Sequence, residues 1–255
     1  MNASTAVYVV LAAVLGAIVG SFLNVVVYRL PRGEALARPG SRCTSCGAPV
    51  KFYDNVPVFA WLWLRGRCRA CHARISPRYP AVEAATAGLC VAVVLTRHTA
   101  WGALLGLLLV LTLVPVALID LDHHIIPNRI LAPAALLALA LGSVLDPSGE
   151  PERLVAGAAA GGLLLIAAVA YPQGMGMGDV KLAAVLGLIL GREVAPAMFA
   201  ALILAIVVGV VLLARAAPAE RRSTGVPFGP FLAGGALVGL FAGHALLGVY
   251  LHHLR

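Results

Sequence analysis

Long apolar runs with almost no ionisable residue in them limit this chain's fold more than any other feature. Residues 99–119 contain no Asp, Glu, Lys or Arg, and neither do residues 154–178. In hydrocarbon a backbone must satisfy its own N–H and C=O groups, so runs of this length are read as membrane-spanning helices. The whole chain agrees: 61% of its 255 residues are hydrophobic and 12% are charged, where a soluble domain carries about 25%. Segments near 5–28, 82–96, 99–119, 130–145, 154–172, 180–191, 195–214 and 229–251 predict an all-α polytopic membrane protein of about eight transmembrane helices. The sixth segment is the shortest, and seven is the alternative count. Residues 3–28 carry no formal charge, no basic stretch precedes them, and no small-residue cleavage site follows. The first segment is therefore expected to span the membrane rather than to be a removable signal.

Charge orients the helices. Arg29, Arg32, Arg38, Arg42, Lys51, Arg65, Arg67, Arg69, Arg74 and Arg78 place ten of the nineteen basic residues in one connection, against Glu34 and Asp54. The positive-inside rule puts that loop in the cytoplasm, and with eight spans both termini lie outside. Arg129, Lys181, Arg215, Arg221 and Arg222 then fall inside, and Arg97, Arg153, Arg192 and Arg255 outside. The net charge of +8 is thus topological. Anionic membrane lipid is its natural partner and no nucleic acid is needed. Three parts follow: a first transmembrane helix (1–28), a cytoplasmic loop (29–80) and a helical core (81–255).

The loop holds Cys43-Thr-Ser-Cys46 and Cys68-Arg-Ala-Cys71. Two such knuckles can set four thiolates around a structural zinc ion, with Gly47 allowing the tight turn after the first. A loop with so small a core would take much of its folding free energy from the metal. Paired disulfides or a redox dithiol are the alternatives, disfavoured by a reducing cytoplasm. His72 could replace one thiolate, although four cysteines already complete the set. Cys90, inside an apolar segment, reads as a small buried hydrophobe.

Two carboxyls stand where a membrane chain should least want them. Asp120 closes one uncharged run and opens Asp120-Leu-Asp-His-His-Ile-Ile-Pro-Asn128; Asp179 ends Gly174-Met-Gly-Met-Gly-Asp179. An ionisable group at membrane depth marks a functional site by default. The topology puts both near the cytoplasmic face. Two carboxylates about 4 Å apart repel by roughly 4 kcal/mol at an effective dielectric of 20, so they would share one proton. The ionised member then takes a proton from water while the protonated one donates to a scissile carbonyl. A solvated loop, a metal site using His123 and His124, or a Lys181–Asp179 pair are the plainer readings. Adjacent histidines point about 100° apart on a helix and chelate one ion poorly.

Four blocks in order now resemble one family. Gly20-Ser-Phe-Leu-Asn-Val-Val-Val-Tyr-Arg-Leu-Pro31, the cysteine loop with Asn55-Val-Pro57, Ile119-Asp-Leu-Asp122 with Ile126-Pro-Asn128, and Gly176-Met-Gly-Asp179-Val-Lys181 are similar to the bacterial type IV prepilin peptidases. The resemblance implies a membrane aspartic endopeptidase of the inner membrane with its active site facing the cytoplasm. Such an enzyme removes basic leader peptides, after a glycine, from type IV prepilins and from pseudopilins of type II secretion. It further implies N-methylation of the new amino terminus with S-adenosylmethionine, for which the chain shows no glycine-rich fingerprint. Asp120 and Asp179 match the catalytic pair, with Asp122 the less favoured neighbour, because relatives keep an Asp seven residues before the proline. Glu34, Asp54 and Glu83 are the few acidic groups that could meet a basic leader. A proton-coupled membrane transporter with the zinc loop as a cap is the alternative, and a scaffold that docks partners through that loop a third reading.

Overall fold

The computed structural model describes residues 3–38, 40–172, 174–215 and 227–253. Arg221, Arg222 and Arg255, counted in the charge balance above, lie outside them. Nine α-helices occur among the described residues: α1 (Ala3–Arg29), α2 (Phe59–Trp63), α3 (Arg78–Thr96), α4 (Ala100–His123), α5 (Asn128–Leu145), α6 (Glu150–Ala170), α7 (Met177–Leu190), α8 (Val194–Arg215) and α9 (Gly229–His253). All but the five-residue α2 coincide with the eight expected segments. Two isolated bridges, Arg42 with Pro49 and Arg67 with Arg74, are the β-structure seen among the described residues. Contacts divide the chain into two units, residues 1–98 and 99–255.

In the first unit α1 packs along α3. Lipid supplies no hydrophobic drive between helices, so close approach of small residues must hold them together. A Cβ on Gly16 would lie 2.9 Å from Ala87 Cα, and one on Gly20 would lie 2.9 Å from Glu83 Cα. Positions 16 and 20 fall one turn apart and meet α3 in antiparallel order. Cys90 is buried beside Gly16, as expected of a small hydrophobe. Side-chain bonds join the two helices to each other and to the loop, where Arg29 also donates to the Ala35, Leu36 and Gly40 carbonyls. Asn24 Nδ2 donates to the Tyr79 carbonyl at 3.2 Å, and the Val58 N–H donates to Glu83 Oε2 at 2.7 Å.

The second unit holds six helices. α7 runs antiparallel to α6, with Gly157 and Gly161 set against Ala184. α8 runs antiparallel to α9: Gly235 faces Ala201, Gly239 faces Ala197 and Gly243 faces Glu193. Leu109, Val110, Val116, Ile119, Leu182, Leu186 and Leu232 form the dry centre. By length and composition seven stretches can cross a membrane, the sixth of them being Met177–Leu212. That stretch is broken at Gly191, which has φ +58 inside a single 3₁₀ turn (Gly191–Glu193), and the helices on either side, α7 and α8, barely touch each other.

Candidate functional site

α4 begins at Thr99, whose side chain caps the Gly102 N–H at 3.3 Å, and stops where His124 takes φ 54. Its last full turn carries Asp120, which is only 5% exposed. The first residue of α9 reaches this carboxyl: the Gly229 N–H donates to Asp120 Oδ2 at 3.0 Å. The positive end of the α9 dipole therefore faces a group that its own helix presents at the negative end. Space there is minimal, since a Cβ on Gly229 would sit 2.6 Å from Oδ2.

Asp179 lies in the first turn of α7 and is 9% exposed. Its Oδ2 accepts from the Gly176 N–H at 3.2 Å and so caps its own helix. Its Oδ1 is buried with no hydrogen-bond partner. A buried acceptor left empty is costly, and in a native site it calls for water, a proton or a ligand. α7 packs against both α4 and α9, so the helices that carry Asp120, Asp179 and Gly229 meet in one bundle.

The glycine run has a local reason. A Cβ on Gly178 would lie 2.9 Å from Ile126 Cβ, so the turn that leaves α4 rests directly on the start of α7. Lys181 does not pair with Asp179; its Nζ donates to Asn128 Oδ1 at 3.1 Å, tying α7 to α5. Asp122, His123 and His124 are exposed, and no metal cluster containing them occurs among the described residues. Of the acidic groups expected to meet a basic leader, Asp54 is held in a bidentate pair with Arg69 (2.6 and 2.8 Å). Glu83 is buried and occupied by Val58, and Glu34 is exposed.

This geometry also fixes the directions of α7 and α8. α7 begins at the Asp120 end of the bundle, through Asp179, and α9 begins there too, through Gly229. The chain between them must therefore go out along α7 and return along α8. The Met177–Leu212 stretch, one candidate span by length and composition, thus folds as two oppositely directed helices.

The cysteine loop forms a second centre within the first unit. The sulfurs of Cys43, Cys46, Cys68 and Cys71 all lie within 4.8 Å of one another, and Cys43 Sγ is 3.8 Å from Cys71 Sγ. Tetrahedral zinc with bonds of about 2.3 Å requires sulfurs roughly 3.8 Å apart. All four are free thiols, too far apart for the roughly 2.05 Å of a disulfide. The two knuckles repeat each other. Cys43 N bonds to Ala48 O and Gly47 N to Cys43 O, just as Cys68 N bonds to Ala73 O and His72 N to Cys68 O. Gly47 (φ 71) and His72 (φ 56) hold the same left-handed position, so His72 shapes its turn and leaves ligation to the thiols. The Cys46 and Ser45 backbone N–H groups hold the Cys43 thiol down to about 6, in the direction of the metal-binding thiolate. The four residues can hold a metal ion.

Two comparisons identify the relatives. Residues 14–97 match the bacterial peptidase A24 N-terminal domain, and residues 107–214 match the type IV leader peptidase family. The chain belongs to the type IV leader peptidase family. A prepilin leader peptidase/N-methyltransferase from Aeromonas salmonicida is 36% identical over 281 residues, covering 96% of this chain and 94% of that protein. Proteins of the same name from Pseudomonas putida (38% identical, 89% and 88% covered) and Pseudomonas aeruginosa (34%, 96% and 93%) align similarly. No solved structure matches. With its apolar helices and this family, the chain is a multi-pass membrane protein.

One participant escaped sequence reading. Gly229 offers no side chain to recognise, and its contribution is a backbone N–H. The available signal was positional: Gly229 precedes Pro230, a proline in the first turn of the last apolar run, where proline is favoured.

Proposed function

We propose that this chain cleaves leader peptides from type IV prepilins and type II secretion pseudopilins, using Asp120 and Asp179 as the acid–base pair. The observation that carries the reading is the empty, buried Oδ1 of Asp179 beside a second buried carboxyl. One carboxylate takes a proton from the attacking water, and the other, protonated, donates to the carbonyl oxygen of the scissile peptide. Burial of Asp120 and exposure of Asp122 favour Asp120 as the partner. The relatives' names add an N-methyltransferase activity, which we assign to the new amino terminus with S-adenosylmethionine as the methyl source. They leave the transporter alternative without support.

The charge balance speaks for an active site facing the cytoplasm of the inner membrane, with residues 29–80 as a cytoplasmic loop and the helices after it as the peptidase core. Zinc on Cys43, Cys46, Cys68 and Cys71 would be structural, because four thiolates leave no open coordination position.

The test is cleavage of a synthetic prepilin by the full chain in nanodiscs. Asp120→Asn and Asp179→Asn keep the acceptor oxygens that Gly229 and Gly176 use, so the fold should survive. Each should lose at least about 100-fold in rate, the usual span of acid–base catalysis. Asp122→Asn should stay near wild type. Cleavage by either of the first two at wild-type rate rules the pair out.

A further inference from the structure

The cysteine loop exposes more aromatic surface than any soluble cap should. Phe52 is 87% exposed, Trp63 83%, Phe59 73% and Leu62 58%. Phe59, Leu62 and Trp63 belong to α2 and, with Tyr53, Val56 and Arg69, line a depression of about 650 Å³. Contiguous apolar surface of this kind marks a docking face.

The packing holds α2 at a particular height. Val58, which precedes it, stands at φ 61 and ψ −52, a γ-turn closed by the Phe59 N–H on the Pro57 carbonyl at 2.6 Å. That conformation is strained for a β-branched residue. The Glu83 carboxylate holds it from inside α3, accepting the Val58 N–H at 2.7 Å. Glu83 lies five positions into a helix that begins at Arg78, so about 8 Å of rise separates α2's anchor from the start of the span. With Arg78 taken as the start of the span, a segment pinned there would stand at headgroup level. The charges around it have the matching sign, because Lys51, Arg65, Arg67 and Arg74 belong to the same loop while its Asp54 is already neutralised by Arg69.

We propose that the α2 face (Phe59, Leu62 and Trp63, with Phe52) inserts into the headgroup region of the chain's own bilayer, where anionic lipid meets the basic residues of the loop. Aromatic rings between apolar and wet phases, with basic side chains beside them, are the chemistry of an interfacial anchor. The metal-binding knuckles would then be fixed against the membrane plane. The inference needs a membrane-spanning chain and does not depend on its being a peptidase.

Benzoylphenylalanine placed at position 63 in the full chain, in nanodiscs of phosphatidylethanolamine and phosphatidylglycerol, reads the occupant directly. After irradiation, mass spectrometry should find phospholipid adducts, several-fold fewer when the label stands at Arg38. Adducts to protein alone, to an added prepilin, or no adduct above the Arg38 control would overturn the proposal. The same label at position 59 guards against local misfolding at 63, and unchanged metal content certifies the loop in both.

Discussion

Gly229→Ala is the sharpest perturbation of the proposed carboxyl pair, because it adds one methyl and removes no polar group. The new Cβ would lie 2.6 Å from Asp120 Oδ2, 3.1 Å from Cγ and 3.3 Å from Cβ. The whole side chain is therefore crowded, and rotating the carboxylate does not relieve it. Ordinary contact begins near 3.4 Å, so Oδ2 must retreat by about 0.8 Å (3.4 − 2.6). The bond to the Gly229 N–H then lengthens from 3.0 Å to about 3.8 Å, beyond hydrogen-bonding range. A hydrogen bond to a charged group contributes about 1.5–3 kcal/mol. At 1.36 kcal/mol per tenfold, kcat for prepilin cleavage should fall about 10- to 150-fold if the bond holds Asp120 in its working position. KM should change little, since the damage is at the reacting carboxyl. Gly248→Ala, on the same helix with open space around it, is the control and should cut normally. A Gly229→Ala enzyme within twofold of wild-type kcat would refute the idea that the start of α9 positions Asp120.

Two further outcomes follow from the loops. Purified wild type should carry about one zinc per chain by elemental analysis and Cys43→Ser should carry little; a metal-free wild type would end the structural-zinc reading. Arg153, 5% exposed, binds Asp146 Oδ2 at 2.7 Å and Glu150 Oε2 at 3.0 Å and lies 5.7 Å from the Trp101 ring centroid, locking the α5–α6 turn. Arg153→Met leaves two acids of that turn without their cation and should lower the Tm in detergent by about 2–4 °C, whereas an unchanged Tm would show the cluster to be incidental.

The helices were legible because their information is one-dimensional. Uncharged or nearly uncharged length located all eight, and the spacing of the two knuckles announced the cysteine cluster. Both carboxyls stood out for the same reason, as charges in runs that exclude charge. What stayed hidden depends on partners brought together by packing. Glu83 looked like a leader contact, but it is spent on the strained Val58 N–H. A Lys181–Asp179 pair was the plainer alternative, yet Lys181 reaches Asn128 instead. The α2 turn and its exposed rings carry no periodicity long enough to register. Gly229 acts through its backbone, which a sequence never displays.

The shortness of α7 links the fold to the chemistry. Fourteen residues rise about 21 Å, while the hydrocarbon layer is about 30 Å thick. A helix facing lipid could not afford that mismatch, but α7 is packed by α4, α5, α6 and α9, and Val180, Leu182, Ala183, Val185, Leu186 and Ile189 are buried. Its far end is set by Arg192, whose side chain is 66% exposed and pairs with Glu152. The missing length, about 9 Å, must then fall at the near end, where Asp179 stands. Irregular backbone at that depth, the Gly174–Gly176 segment, survives only where protein covers it or water reaches it. With Asp120 and Asp179 as the proposed acid–base pair, a short α7 would set Asp179 below the headgroups, within reach of a substrate that is itself a membrane helix.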